Sequence, residues 1–203
     1  MFMLQSHYRS PVDFSENSLA EARSALARCY TTLQLQTEAL GRAVVSDNLS
    51  AKKTSTKEES YASILEELKE KFDAALDDDF NTAQALGYVF EAVRHINNFL
   101  VAEKKATTLH TSEILQTSKK VFNHFGNILG ILQDDPDHYF RRDKEKESRK
   151  RGLNIEEIEN LIKERQAARA AKNWARADTI RDELAKIRVI VKDSNNTTSW
   201  IIE

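Results

Sequence analysis

Near the end of this 203-residue sequence, the run Arg165-Gln-Ala-Ala-Arg169-Ala-Ala-Lys172-Asn173-Trp174-Ala-Arg176-Ala-Asp178 gathers three recognition chemistries in little more than a dozen residues. An indole is a platform on which a nucleic-acid base can stack, and a guanidinium donates hydrogen bonds in a planar fork. A carboxylate only accepts them. Arg and Asp therefore offer complementary partners for the pairing edge of an unpaired base. Asp178 follows Trp174 by four residues, which places both on one face if the segment is helical. A plainer role stands beside this one: Trp174 packed between two helices, with the charges paired on the surface.

Elsewhere the chemistry is thinner. Asp77-Asp78-Asp79-Phe80-Asn81-Thr82 is the densest carboxylate cluster and could hold Mg²⁺. It falls between two apolar-periodic runs, where acidic, Asn and Thr side chains cap free N–H groups and complement a helix dipole, so capping without a metal is expected. His7, His95, His110, His124 and His138 are scattered without metal-ligand spacing. There is no glycine-rich phosphate loop and no Ser/His/Asp constellation, and no catalytic residue is assigned. The lone cysteine, Cys29, cannot form an internal disulfide or anchor a multi-cysteine zinc site. It lies on an apolar stripe, which suits a small buried hydrophobe. A single cysteine fits a reducing compartment, and a cytoplasmic location is expected.

These residues must be carried by helices. Five Gly and two Pro leave little material for the tight turns of an all-β fold. Ser15 is a good N-cap, and Leu19, Ala22, Leu26, Cys29/Tyr30 and Leu33 follow at three- and four-residue steps, predicting a helix from about 16 to 44. Similar stripes predict helices over about 58–77, from Asn81-Thr82 to Leu100, and over about 111–132. Together these make an antiparallel four-helix bundle over 1–135. Phe2–Tyr8 reads as the end of a helix truncated on its N-terminal side. Polar, aperiodic residues 46–58 read as a mobile loop. Asp134-Asp135-Pro136 should stop the fourth helix, and 136–153 read as a solvated charged linker with seven basic and three acidic residues in 141–151. Over 154–203, two helices turning at Lys172-Asn173 precede Val189-Ile190-Val191 and Trp200-Ile201-Ile202, a small β-hairpin around a polar turn. The fold class is mostly α: a bundle followed by a helical hairpin with a short β-hairpin.

Composition supports this division. Charged residues are 31% and hydrophobic ones 40%, within the range of globular chains. The formal charge of -2 hides an asymmetry: residues 1–135 carry 14 basic and 19 acidic side chains, and 136–203 carry 16 and 13. A basic tail on an acidic body fits nucleic acid on the tail side, although a solvated, charge-mixed tail fits as well. No apolar run is long enough for a membrane span, and no membrane partner is expected. The first residues lack the basic lead and cleavage site of a signal peptide.

Three stretches resemble the C-terminal part of the cysteinyl-tRNA synthetase family, a class I aminoacyl-tRNA synthetase. They are Ser6-His7-Tyr8-Arg9-Ser10-Pro11-Val12-Asp13-Phe14-Ser15, then Ala75-Leu76-Asp77-Asp78-Asp79-Phe80-Asn81-Thr82-Ala83-Gln84-Ala85, and finally the run from Arg165 through Trp174 and Asp178 to Leu184, continued by Asp193 and Thr198-Ser199-Trp200. They span nearly the whole chain in family order. The resemblance implies a DALR-like bundle followed by an anticodon-binding module at 154–203. It makes Arg169, Trp174, Asp178 and Asp193 the anticodon-contacting residues, and tRNA-Cys and the family's catalytic domain the partners of a monomer. Trp174 would stack a base, Arg169 would donate to a cytosine, and Asp178 or Asp193 would accept from a guanine.

The family's catalytic motifs and its Cys/His zinc site do not occur in this sequence. ATP and zinc are implied for that catalytic half, no cofactor is implied for this chain, and no cysteine activation is expected of it alone. Two departures stand out. Arg188 and Thr197 occupy positions where the family usually has Gly, and a non-glycine residue in a left-handed conformation costs on the order of 1 kcal/mol. The alternatives are a free-standing helical interaction protein that has lost tRNA recognition, and the C-terminal half of a related cysteine ligase acting on a small sugar-amine. The Trp174/Asp178 pair counts against the latter.

Overall fold

The structure is a computed structural model that describes residues 1–45, 56–102, 109–194 and 197–202. It divides into two compact units, Met1–Pro136 and Asp137–Glu203.

The first unit is built from α1 (Glu16–Val45), α2 (Thr56–Asp77), α3 (Thr82–Ala102) and α4 (Leu109–Leu129), preceded by a 3-10 turn over Phe2–Gln5. The start of the chain is thus a single tight turn rather than the end of an α-helix. α1 begins where its sequence dictates. The Ser15 hydroxyl accepts the Ser18 N–H at 3.2 Å, and the Ser18 hydroxyl accepts the Ser15 N–H at 3.1 Å, a reciprocal capping pair. α1 packs on α3 and α4, and α2 packs on the same two helices. Cross-helix contacts fix the directions. The Thr32 hydroxyl donates to Asn97 Oδ1 (3.2 Å), and the buried Gln36 side chain donates to the Leu115 carbonyl (2.7 Å). These bonds satisfy polar groups that would each cost about 1–3 kcal/mol if buried unpaired. Asp73 and His124 meet at 2.6 Å, and the Tyr61 and Phe99 rings meet edge to face at 5.0 Å. The helices alternate up and down along the chain, and α1 and α3 run parallel as neighbours.

Leu65, Leu68 and Phe72 of α2, Val89 and Ile96 of α3, and Val121, Phe122 and Phe125 of α4 form the core. Phe72 and Phe125 rings lie 4.5 Å apart. Cys29 of α1 is fully buried among them, and burial pushes its thiol up to about 11. It serves as a core hydrophobe. The fourth helix ends one turn before Asp134-Asp135-Pro136. Gly130 takes φ 65°, and the Ile131 N–H returns to the Gly126 carbonyl at 3.1 Å. Glycine reaches this left-handed position without steric cost, so the helix closes there.

The second unit contains α5 (Pro136–Arg151), α6 (Ile155–Ala170), α7 (Trp174–Lys186) and an antiparallel hairpin of β1 (Val189–Ser194) and β2 (Thr197–Ile202). The residues expected as a solvated linker therefore form a helix. Its composition conceals the fact: Arg, Lys and Glu have high helix propensity, and their charges pair along the helix. Glu147 accepts from Arg151 at 2.9 Å, and Glu145 lies 3.6 Å from Arg149. Pro136 occupies the first position, Asp137 the first turn, and Arg149-Lys150-Arg151 the last, as the helix dipole favours. Tyr139 and Ser148 are buried, and the Lys144 ammonium sits 4.6 Å from the Trp200 ring.

Ile158 and Ile162 of α6, Ile180 and Leu184 of α7, Val189 and Trp200 make the second core. The hairpin register pairs Val189 with Ile202 and Ser194 with Thr197. Of the loop expected at 46–58, residues 46–55 lie outside the described residues, and 56–58 form the first turn of α2.

Arg188 has φ 59°, the left-handed conformation for which glycine is suited. Arg188→Gly should stabilise the C-terminal unit by about 1 kcal/mol, read as a higher melting temperature. His95 lies against the Tyr61 carbonyl at 3.2 Å, and burial holds its imidazole below the ordinary histidine value. The folded state favours the neutral ring, so this contribution is complete above pH ~6.5 and fades as pH falls through the lower folded value. A pH series of chemical denaturation should show a shallower acid loss for His95→Gln than for the wild type.

Candidate nucleic-acid interface

α6 and α7 form a helical hairpin whose turn is closed from both sides. The Asn173 N–H reaches back to the Ala168 carbonyl at 2.8 Å, and the Lys172 N–H to the Arg169 carbonyl at 3.0 Å. Together these satisfy two of the last carbonyls of α6. Lys172 takes φ 57° to make that reversal. The Asn173 side chain then accepts the Arg176 N–H at 3.2 Å and caps α7. One residue ends one helix and begins the next. Arg176 also ties the helices together, with its Nε 2.8 Å from Glu164 of α6 and a terminal nitrogen 3.6 Å from Glu183.

This turn decides where the candidate side chains go. Ala177, Ile180 and Leu184 set the buried face of α7. Trp174, the first residue of α7, therefore falls outside that face and is 57% exposed. The role of a wedge between helices goes instead to Trp200, which is 5% exposed in the core of the unit. Asp178 is exposed one turn along α7 from Trp174, and Arg169 is exposed in the last turn of α6. These three flank the same turn. Asp193 lies in β1 opposite Thr198, and its side chain is outside the described residues. Thr197 opens β2 opposite Ser194, within the ladder.

The carboxylate cluster proves more specific than capping alone. Asn81 caps α3: its side-chain oxygen accepts the Gln84 N–H at 3.1 Å, and its amide donates to the Gln84 side chain at 3.1 Å. Asp79 instead holds the N-terminal segment. It accepts from the Tyr8 hydroxyl at 2.8 Å and pairs with Arg9 at 3.0 Å. Its contact raises the Tyr8 pKa. Among the described residues, no group of three or more His, Cys, Asp or Glu could hold a metal ion. Asp79 and Phe80 both have φ 54°, and Phe80 is 71% exposed. A bulky residue in this conformation is an outlier. Phe80 borders an open groove of about 540 Å³ with Met3, Tyr8 and Val12.

Sequence reasoning did not single out Asn173 as a cap or Asp79 as an anchor. The first had a signal, an Asn directly before an apolar-periodic run. The second had none, because its partners lie some seventy residues away.

Residues 71–133 match the DALR domain family, and residues 155–200 match the cysteinyl-tRNA ligase anticodon binding domain. Over its whole length the chain is 36% identical to a cysteine–tRNA ligase of Thermodesulfovibrio yellowstonii and 38% identical to those of Geobacter sulfurreducens and Geobacter metallireducens. It spans 40% of the length of each of these relatives.

The double role of Asn173 is testable. Asn173→Ala should destabilise the C-terminal unit by about 1 kcal/mol, and Asn173→Asp, which keeps the accepting oxygen, should largely restore it in thermal melts. A DALR domain and a cysteinyl-tRNA ligase anticodon binding domain thus follow one another in this chain, which along its full length is similar to the C-terminal part of cysteine–tRNA ligases.

Proposed function

We propose that this chain is the tRNA-binding part of a cysteine–tRNA ligase, and that its C-terminal unit reads the anticodon of tRNA-Cys. The observation that carries the reading is the exposure of Trp174 at a doubly closed turn, with Asp178 one turn along the helix and Arg169 across the turn. A large aromatic ring held in solvent by a rigid joint makes a poor core residue and a good stacking platform. The Asp178 carboxylate accepts two hydrogen bonds from a guanine edge, and the Arg169 guanidinium donates to a cytosine. Asp193 joins this set by its position in the anticodon binding domain.

The first unit serves the other partner. Met3, Tyr8, Val12 and Phe80 present apolar surface around the open groove at the N-terminal end of the bundle. The relatives are about two and a half times as long as this chain. The remainder of such a ligase, which would bind ATP and zinc and perform aminoacylation, seats on that surface. Asp79, by fixing Tyr8 and Arg9, sets its shape. No helix of the described residues is long and apolar enough to cross a membrane. We place the protein in the cytoplasm as a monomer, with tRNA-Cys as its ligand.

Trp174→Ala should weaken binding of tRNA-Cys by roughly 1–3 kcal/mol without altering circular dichroism or melting. Asp178→Asn exchanges an acceptor-only group for one that also donates, so it should cost discrimination against anticodon variants more than overall affinity. Full tRNA-Cys affinity in a folded Trp174→Ala protein would defeat the anticodon reading.

A further inference from the structure

We infer that Arg181 is a specificity-determining residue of the Trp174 site, and that with Asp178 it reads a guanine along two adjoining edges of the base. This rests on the proposal that the C-terminal unit reads the anticodon. Ala177, Ile180 and Leu184 are the buried positions of α7. Trp174, Asp178 and Arg181 follow one another at steps of four and three residues, so they form a second stripe, and all three are exposed. A helical side chain leans toward the N-terminus of its helix and covers the turn before its own Cα. The long Arg181 side chain can therefore reach back over the turn that carries Asp178. The guanidinium groups of the hairpin are not equally available. Of the four on α6 and α7, Arg165 is buried and Arg169 already has a contact within the fold. Arg176 is tied to Glu164 and Glu183. The Arg181 side chain closes no ion pair or hydrogen bond among the described residues, and neither does that of Asp178. Opposite charges three residues apart on a helix can pair. These two stay open, with an exposed indole one turn before them.

An acceptor and a forked donor beside a stacking platform fit one base better than the others. Around guanine the N2 amine, N1–H, O6 and N7 follow in order, two donors and then two acceptors. A carboxylate accepts from the first two, and a guanidinium fork donates to the last two. Asp178 and Arg181 are separated by about 4.5 Å of helix rise, on the scale of one base edge. Adenine inverts both matches. It sets its N6 amine toward the guanidinium and its unprotonated N1 toward the carboxylate, so neither side chain is satisfied. Two groups left unpaired discriminate more strongly than one lost hydrogen bond. Pyrimidines have no N7 and leave half of the fork empty. A phosphate could engage Arg181, but it would set a second anion beside Asp178, so the open pair favours a base edge.

The test uses the full chain and synthetic tRNA-Cys in which the anticodon guanosine is replaced by 7-deazaguanosine, which lacks N7, or by inosine, which lacks the N2 amine. The unaltered protein should bind the 7-deaza tRNA roughly fivefold more weakly than the natural one, at the lower end for a bidentate base contact. Arg181→Met, which retains helix propensity, should bind natural tRNA-Cys about tenfold more weakly. It should no longer distinguish the 7-deaza form, while still losing affinity for the inosine form through Asp178. Arg181→Lys keeps the charge without the fork and should behave like Arg181→Met. Lys186→Gln removes an exposed cation from the end of the same helix and should leave the response to both altered tRNAs unchanged. Indifference of the unaltered protein to 7-deazaguanosine overturns the inference. Full rescue by Arg181→Lys also overturns it, because charge alone would then suffice, as at a phosphate. If Arg181→Met lowers the melting temperature, Arg181→Lys and the atom substitutions carry the test by themselves. A silent Arg181 alongside a sensitive Trp174 removes Arg181 and leaves the anticodon reading standing. If Trp174→Ala is silent and neither altered tRNA changes affinity, the anticodon reading fails and takes Arg181 with it.

Discussion

Everything distinctive about the C-terminal unit depends on one residue satisfying two helix ends. Asn173 donates its backbone N–H to the end of α6 and accepts the Arg176 N–H at the start of α7. A helix terminus leaves several polar groups without partners, and a three-residue connection, Ala171–Asn173, has no spare chain with which to satisfy them. The turn can be this short only because a single Asn serves both. Shortness has a consequence: α7 must start at Trp174, and its buried face must begin at Ala177. The indole is left in solvent by the phase of the helix.

The same logic recurs down the unit. α5 and α6 are joined through a left-handed Gly152 followed by a capping Asn154, as α6 and α7 are joined through Lys172 and Asn173. α7 then reaches β1 through Arg188. Lys172 and Arg188 accept steric cost where Gly152 does not. Both are cations at helix C-termini, where the dipole offsets part of that cost. The joints leave α6, α7 and the hairpin as one small body around Ile158, Ile162, Ile180, Leu184 and Trp200. An exposed indole, a guanidinium and a carboxylate, those of Trp174, Arg169 and Asp178, are thereby presented from helices rather than from loops.

Much of this was legible in the residues. Apolar steps of three and four located α1 to α4, α6 and α7 to within a few residues, because each buries one stripe and the stripe is local information. Ser15 announced the start of α1 through its own side chain. Trp174 was ambiguous, since a Trp at a helix start packs or protrudes according to the helix phase. That phase depends on which of two tryptophans the core takes, and the core took Trp200. α5 was hidden because it buries so little: a helix held by charge pairs and one cation over an indole has no apolar stripe to read. The left-handed conformation at Arg188 was legible only by resemblance, through the glycine usual at that position. Asp79 was assigned to capping because its true partners, Tyr8 and Arg9, are distant in sequence.

In the proposed function Trp174, not merely the basic surface around it, meets a base. Replacing the buried Trp200 by Phe leaves Trp174 as the sole indole, and its emission can be followed as tRNA-Cys is added at a salt concentration that suppresses nonspecific contacts. A base stacked on Trp174 should turn a solvent-exposed emission in the free protein into a strongly quenched one on binding, with an anticodon-substituted tRNA producing much less quenching at equal occupancy. Saturable binding of tRNA-Cys that leaves the Trp174 emission unchanged would contradict it.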